Sequence, residues 1–400
     1  MNALISVEEA AALVAGQMPR FDSERVPLAQ AAGRILRQEV RAERDHPPFD
    51  RVMMDGIAFR WRDPLPPSFA LAGTRAAGMA EGALPADDAC LEVMTGAMLP
   101  AGCDCVVPVE QTRREDGRYL LVEDCRPARG QFIHARGSDC AAGTRVLQAG
   151  VRIGAPEVAQ LAANGVAGVE VAALPSIGIV ATGDELVAVD APLGEGQVRR
   201  SNDTAVAAAL RLHGFDRIEL SHVADDLAAT TAALRAQLAA HDVLILSGGV
   251  SMGQRDYVPQ ALESLGVRRV FHRIAQRPGK PMWFGIGARG QQVFALPGNP
   301  VSAMVCTIRY VRPALLAAMG LAPEDTEYVR LEAPVPPQAT LTSFMPVRVR
   351  HDGRGGLLAQ PMPPRTSGDF TSLAGTQGVV QLPPGRDDVP AGTPVALYRW

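Results

Sequence analysis

Lysine is almost absent from this 400-residue chain: of 39 lysines and arginines, Lys280 alone is a lysine. Arginine serves at every other basic position, so lysine is not needed here for solubility. The one compact ammonium sits in Arg277-Pro278-Gly279-Lys280-Pro281. It reads either as a compositional survivor on a solvated loop or as a point charge aimed at a small anion. No apolar run approaches the length of a membrane span. The N-terminal stretch turns acidic at Glu8-Glu9 before a signal-peptide core can form. Together these point to the cytoplasm and to no membrane partner. The six cysteines (Cys90, Cys103, Cys105, Cys125, Cys140, Cys306) form no CxxC pair and have no histidines at zinc-finger spacing, leaving reduced structural thiols as the default. A formal net charge of -4 supplies no broad basic field, so nucleic acid is not an expected partner. An anionic ligand would have to be held by a local site.

What is present is a folded-protein composition, 47% hydrophobic and 20% charged, in a chain too long for one ordinary core. Ser6 and Glu9 form an S-x-x-E capping box for a helix ending before Pro19, and a second helix fits Leu28 to about Arg37. After Pro47-Pro48 come short apolar runs broken by glycine and proline, such as Leu91–Met94, Val106–Val109 and Tyr119–Val122. They read as a small β domain reaching about Cys140. From Ile177 to Gly320 four-residue apolar strands alternate with helical patterns: Ile177–Val180, a helix capped by Ser201-Asn202-Asp203, Ile218–Val223, a helix behind Asp225-Asp226 to Ala240, and Val243–Leu246. This pattern predicts a parallel sheet covered on both faces. A hairpin follows, Met282–Ile286 with Gln292–Leu296, then a helix from Pro300 with Asn299 as its cap. Proline and short strands return from Ala322 to Trp400. The fold class is therefore multidomain α/β and β, with a central α/β sheet domain, an inserted β domain, a small helical and extended domain and a C-terminal β domain.

Sheets of this kind bind ligands beyond the carboxyl ends of their strands. Four polar loops are expected there. Thr182-Gly183-Asp184-Glu185-Leu186 follows the first strand, and Ser247-Gly248-Gly249-Val250-Ser251-Met252-Gly253 follows the third, with Asp256 just beyond. Glycines let backbone N–H groups approach an anion, although a plain strand-to-helix turn uses the same residues. Arg277–Pro281 and Leu296-Pro297-Gly298-Asn299-Pro300 are stiffened by two prolines each, which lowers the entropy lost in holding a ligand; either could also be a stiff turn. Asp184, Glu185, Asp225, Asp226 and Asp256 supply carboxylates, of which Asp225 and Asp226 also suit helix caps. Acids mixed with a cationic loop suggest a magnesium-bridged phosphate.

In this order and spacing the four loops resemble the molybdopterin molybdotransferase (MoeA-like) family. Matching segments lie outside the α/β region too: Pro48-Phe49-Asp50 with Met54-Asp55-Gly56, Met94-Thr95-Gly96-Ala97 with Leu99-Pro100-Ala101-Gly102-Cys103-Asp104, and Arg136-Gly137-Ser138-Asp139. The resemblance thus spans nearly the whole chain. It implies four domains: residues 1–45 with 141–175, an inserted β domain 46–140, a molybdopterin-binding α/β domain 176–321 and a C-terminal β domain 322–400. It also implies an elongated homodimer with its cleft between subunits, in which molybdate is inserted into adenylylated molybdopterin with Mg2+-dependent release of AMP. Asp55, Thr95 and Asp139 would come from one chain and the α/β loops from the other, with Arg348 and the Ser367-Gly368 turn closing one side. Within this site Asp55, Asp139, Glu185, Asp256 and Lys280 are expected to act on the reaction. Lys280 and Arg277 would bind oxyanions, and Ser247, Gly248 and Gly249, with Ser251, would hold the terminal phosphate or pterin side. Asp225, Pro297, Gly298, Asn299 and Pro300 would line the substrate, and Asp184, Glu185 and Asp256 would position magnesium and water.

The chain departs from the family pattern at Arg51-Val52 and Ile57 around Met-Asp-Gly, at Arg277 where lysine is common, and at Arg199-Arg200. Alternative readings are the molybdopterin adenylyltransferase, which resembles the α/β domain alone, and a non-catalytic carrier or scaffold for the cofactor. Candidate partners are that adenylyltransferase and molybdoenzymes or their chaperones.

Overall fold

A computed structural model describes residues 4–250, 257–366 and 368–400. Ser251, Asp256 and Ser367, three of the expected site residues, lie outside the described residues. The chain divides into two compact units, one holding Met1–Arg37, Ala149–Gly154 and Val169–Trp400, the other Gln38–Gln148 and Ala155–Gly168.

In the larger unit the helix Val7–Gln17 begins where Ser6 Oγ accepts the Glu9 N–H at 3.0 Å. Its residues Val7, Ala10 and Val14 recur at helical spacing and are fully buried, in one core with Ile177, Phe284 and Phe294. The helix expected over 28–37 does not form. Only a 3-10 turn, Leu28–Gln30, is present. Gly33 takes φ +81°, a conformation that ends helices, and the backbone N–H groups of Gly33, Leu36 and Arg37 donate instead to the carbonyls of Ile153, Val151 and Glu170. Long-range pairing outweighs local helix preference in this segment.

The central six-stranded sheet runs in the order Ile218–Val223, Ile177–Thr182, Val243–Ser247, Gln292–Leu296, Trp283–Ile286, Arg268–His272. The first four strands are mutually parallel and the last two pairings are antiparallel. Every residue of Ile177–Thr182 and Val243–Ser247 is buried, as a sheet covered on both faces requires. A helix Pro300–Ala318, with a π turn at Thr307–Val311, packs against it. Contrary to the expectation that nothing in the chain approaches a membrane span, this helix is long and apolar enough to cross one by length and composition. Arg309 and Arg312 interrupt its apolar run, and 78% of the stretch is buried, so it serves as a core element.

A second six-stranded sheet in this unit closes on itself, because Thr342–His351 pairs with both Leu357–Pro361 and Gly378–Leu382. Gln276–Arg277 adds to its edge, Arg277 opposite Ser343. The Arg277–Pro281 loop is thereby tied to the C-terminal barrel.

The smaller unit carries the sheet Cys105–Pro108, Gly56–Phe59, Ala89–Val93, Phe69–Arg75, Arg118–Leu121, Thr112–Glu115. Gly56 is required by close approach: a Cβ there would stand 2.0 Å from the Val107 carbonyl oxygen. Burial pushes the Cys90, Cys103 and Cys105 thiols up to about 12, so they are inert packing groups.

Candidate active site

Strand register brings the loops together. Ala181 pairs with Ser247 and Ser247 with Leu296 across parallel strands, so the loops after all three leave from one sheet edge. Trp283 pairs antiparallel with Ala295, which places the residues preceding it, Lys280 and Pro281, at that same edge. A cavity of about 640 Å³ opens there. Of the expected residues it is lined by Glu185, Asp225, Ser247, Gly248, Gly249, Pro297, Gly298, Asn299 and Pro300, with Gly368 and Phe370 from the C-terminal segment.

The glycine loop has little freedom to vary. Gly248 and Gly249 take φ +101° and +68°, and a Cβ on Gly248 would lie 2.7 Å from Thr182 Oγ1. The Gly248 N–H donates to the Leu296 carbonyl at 3.2 Å, so the second glycine loop is laid against the proline loop. Asn202 joins them again: its amide donates to Ser247 Oγ at 2.9 Å and to the Gly298 carbonyl at 2.7 Å. The sequence read Asn202 only as part of a helix cap. Neither Ser201 nor Asn299 makes a side-chain cap bond at its helix, although both stand at the N-cap position.

The acids divide by role. Asp226 is the cap, its carboxylate accepting the Ala229 N–H at 2.7 Å. Asp225 lines the cavity, and its N–H donates to Asp184 Oδ1 at 3.0 Å. Asp184 is exposed beside the cavity and Glu185 lines it. Among the described residues no group of three His, Cys, Asp or Glu side chains could hold a metal by itself. Four polar atoms of cavity-lining side chains, Thr182 Oγ1, Arg200 Nε, Asn202 Oδ1 and Asp203 Oδ2, are buried without a hydrogen-bond partner. Arg200 Nε and Asp203 Oδ2 face each other as an ion pair. Buried polar atoms are nearly always paired, so the two left without any partner among the described residues, Thr182 Oγ1 and Asn202 Oδ1, fit a polar ligand in the cavity. Asp203 is 1% exposed and sits 3.7 Å from Arg200.

Lys280 is exposed, and its side chain has no ion-pair partner among the described residues. Its carbonyl accepts the Ile274 N–H at 2.9 Å, which holds the loop from below. Gln276, fully buried, donates to the Pro278 carbonyl at 3.0 Å and accepts from the Tyr310 hydroxyl. No periodicity in the sequence marks Gln276 or Tyr310 as this support. Arg277 donates to Gln338 Oε1 at 3.0 Å. Arg348 is exposed on Thr342–His351 and does not line the cavity.

In the smaller unit the Met54-Asp55-Gly56 and Thr95-Gly96 segments meet. Asp55 Oδ1 accepts both the Thr95 hydroxyl and the Thr95 N–H at 2.6 Å. The hydroxyl first and the N–H second hold the Asp55 carboxyl below its usual range. Asp139 is exposed and accepts from His134 Nε2 at 2.6 Å. Thr95→Val should return the Asp55 titration toward the ordinary carboxylate range, followed by carboxyl-carbon NMR. Because the folded-state value is lowered, the linked stabilisation is present above the unfolded carboxylate range and is lost as pH falls through the folded value. The variant should therefore differ from wild type at neutral pH and converge with it in acid. An unchanged Asp55 titration would contradict the assignment.

Three family models match successive parts of the chain: the MoeA N-terminal region (domain I and II) over residues 5–165, a probable molybdopterin binding domain over 178–317, and the MoeA C-terminal region (domain IV) over 328–400. A molybdopterin molybdenumtransferase of Synechocystis is 36% identical over 400 residues, covering 99% of this chain and 100% of the relative. That of Bacillus subtilis is 32% identical over 405 residues, covering 98% and 93%. A crystal structure of the molybdopterin biosynthesis moeA protein from Pyrococcus horikoshii superposes with a TM-score of 0.84 at 26% identity, covering 100% of both chains.

Proposed function

This chain belongs to the MoeA-like molybdopterin molybdenumtransferase family of molybdenum cofactor biosynthesis, and on that premise we propose that it inserts molybdate into adenylylated molybdopterin with magnesium-dependent release of AMP. It is a transferase. The observation that carries the finer reading is the cavity at the sheet edge, with its glycine loop, its two proline-stiffened neighbours and the unpartnered Thr182 Oγ1 and Asn202 Oδ1. Family matches that flank the α/β region on both sides separate this chain from an adenylyltransferase built of that region alone.

Molybdate and a pyrophosphate link are both anions, so joining them demands charge neutralisation more than a strong nucleophile. Lys280 and Arg277 bring positive charge to the proline loop, and the Ser247–Gly249 loop offers N–H and hydroxyl donors. Magnesium, when bound, supplies the largest local positive charge to the phosphate oxygens. Glu185 and Asp225 line the cavity, with Asp184 beside it, and these fit an ion that takes one or two carboxylates and completes its shell with substrate oxygens. Asn202, by joining Ser247 to Gly298, keeps both loops in place for the same ligand.

The reading includes a homodimer of four-domain chains in the cytoplasm, where thiols such as those of Cys90 and Cys103 stay reduced. In it Asp55, Thr95 and Asp139 of one protomer complete the site begun by the sheet-edge loops of its partner. Mixing inactive Asp55→Ala and Lys280→Ala proteins should then restore AMP release, because a heterodimer holds one intact site. No recovery after verified subunit exchange would refute the shared site.

A further inference from the structure

The strand Arg51–Val52 pairs antiparallel with Ile133–His134, and Arg51 stands directly opposite His134. Side chains of such a pair share one face of the ladder. Arg51 Nη2 lies 2.9 Å from His134 Nδ1. Beyond His134 the chain turns back: the Ser138 N–H donates to the Ala135 carbonyl at 3.1 Å, and Gly137, at φ +72°, donates to the Pro47 carbonyl at 2.9 Å. The turn brings Asp139 to the other side of the imidazole, with Oδ1 2.6 Å from Nε2. Three side chains from two strands and a turn thus form one hydrogen-bonded row.

Donor chemistry fixes the state of the ring. A guanidinium has only N–H donors, so His134 Nδ1 must accept and the ring proton must sit on Nε2. That N–H then donates to the Asp139 carboxylate. The other tautomer would set two donors against each other at Nδ1 and two acceptors at Nε2. Arg136, the turn's own arginine, does not compete, because its N–H donates to Asp50 at 2.8 Å and its Nε to Asp45 at 2.7 Å. Asp139 Oδ2 has no hydrogen-bond partner among the described residues, and the side chain is 55% exposed. One carboxylate oxygen is therefore anchored and the other is presented.

We propose that Arg51 and His134 are positioning residues for Asp139: Arg51 sets the tautomer of His134, and His134 holds one oxygen of Asp139 so that the other meets the substrate in a fixed direction. This rests on the reading of Asp139 as a site residue for molybdate insertion. The test has two arms. In the intact protein, imidazole 15N spectra of the seven histidines, with His134 assigned by His134→Gln, should show its Nδ1 unprotonated and Nε2 protonated; Arg51→Met should release this to a mixture. A proton on Nδ1, or spectra that Arg51→Met leaves unchanged, would overturn the proposal.

In AMP-release assays, His134→Phe and Arg51→Met should lower kcat about 10–100-fold, the range for groups that orient a site's ligands, with KM for adenylylated molybdopterin little changed. His134→Gln should recover most of the rate, because its amide can donate to Asp139 while its oxygen accepts from Arg51. Full turnover in folded His134→Phe and Arg51→Met, beside an impaired Asp139→Asn, would remove the positioning pair and leave Asp139 in the reaction. Full turnover in Asp139→Asn would remove the reading of Asp139 itself, and the pair with it.

Discussion

Lys280→Ala is expected to slow molybdate-dependent AMP release by roughly 10²–10³-fold, the scale for removing one preorganised oxyanion donor, with little change in thermal stability. The separation follows from how the loop is held. Its supports are the Lys280 carbonyl, which accepts from Ile274, and Gln276 with Tyr310 beneath Pro278. None of these involves the ammonium. The side chain is exposed and has no ion-pair partner among the described residues, so its loss leaves no buried charge behind. Lys280→Arg should also be impaired, because a planar fork cannot take the place of a compact ammonium on a loop pinned by Pro278 and Pro281. Lys280 carries the sole side-chain amine in the sequence, so acetylation offers the same test without mutagenesis. Mass-spectrometric occupancy of Lys280 should track lost activity, and molybdate should protect the amine. Complete modification with full activity would make the lysine a compositional survivor.

Glu185→Gln should lower AMP release about 10–100-fold and raise the magnesium concentration needed for half-maximal rate. The change keeps the side chain's size and removes the charge that a hard cation requires. The neighbouring acid Asp226 supplies the contrast. Its carboxylate caps Leu227–Ala240, so Asp226→Ala should cost about 1 kcal/mol of stability and leave the magnesium response as it was. A Glu185→Gln enzyme with an unaltered magnesium titration would return Glu185 to a role as a turn residue.

These expectations differ in how far the sequence alone could carry them. The buried strands Ile177–Thr182 and Val243–Ser247 were legible, because continuous apolar runs bounded by polar loops have few other uses in a chain of this composition. The edge strand Ile218–Val223, in which only Val223 is buried, was legible from its alternating apolar residues. Their common edge was legible too, since parallel strands joined by helices leave their polar loops on one side. The segment 28–37 was misread because its fate is decided by carbonyls more than a hundred residues away, at 151, 153 and 170. Local pattern carries no trace of such partners.

The same limit applies within the site. Asn202 looked like a cap residue, yet its amide serves Ser247 and Gly298. The pair Asp225-Asp226 looked uniform, yet backbone direction at the helix start makes one a cap and turns the other toward the cavity. Arg51 stood out only as a departure from the family pattern; its partner became visible once the ladder placed it opposite His134.

The central claim is that this chain converts adenylylated molybdopterin and molybdate into molybdenum cofactor. The most direct measurement is anaerobic incubation of the purified protein with adenylylated molybdopterin and magnesium, with and without molybdate, counting AMP and pterin-bound molybdenum. Equal amounts of the two, formed only when molybdate and magnesium are both present, are the predicted result. Tight binding of the pterin without AMP release, or pyrophosphate formed from ATP and free molybdopterin, would contradict it.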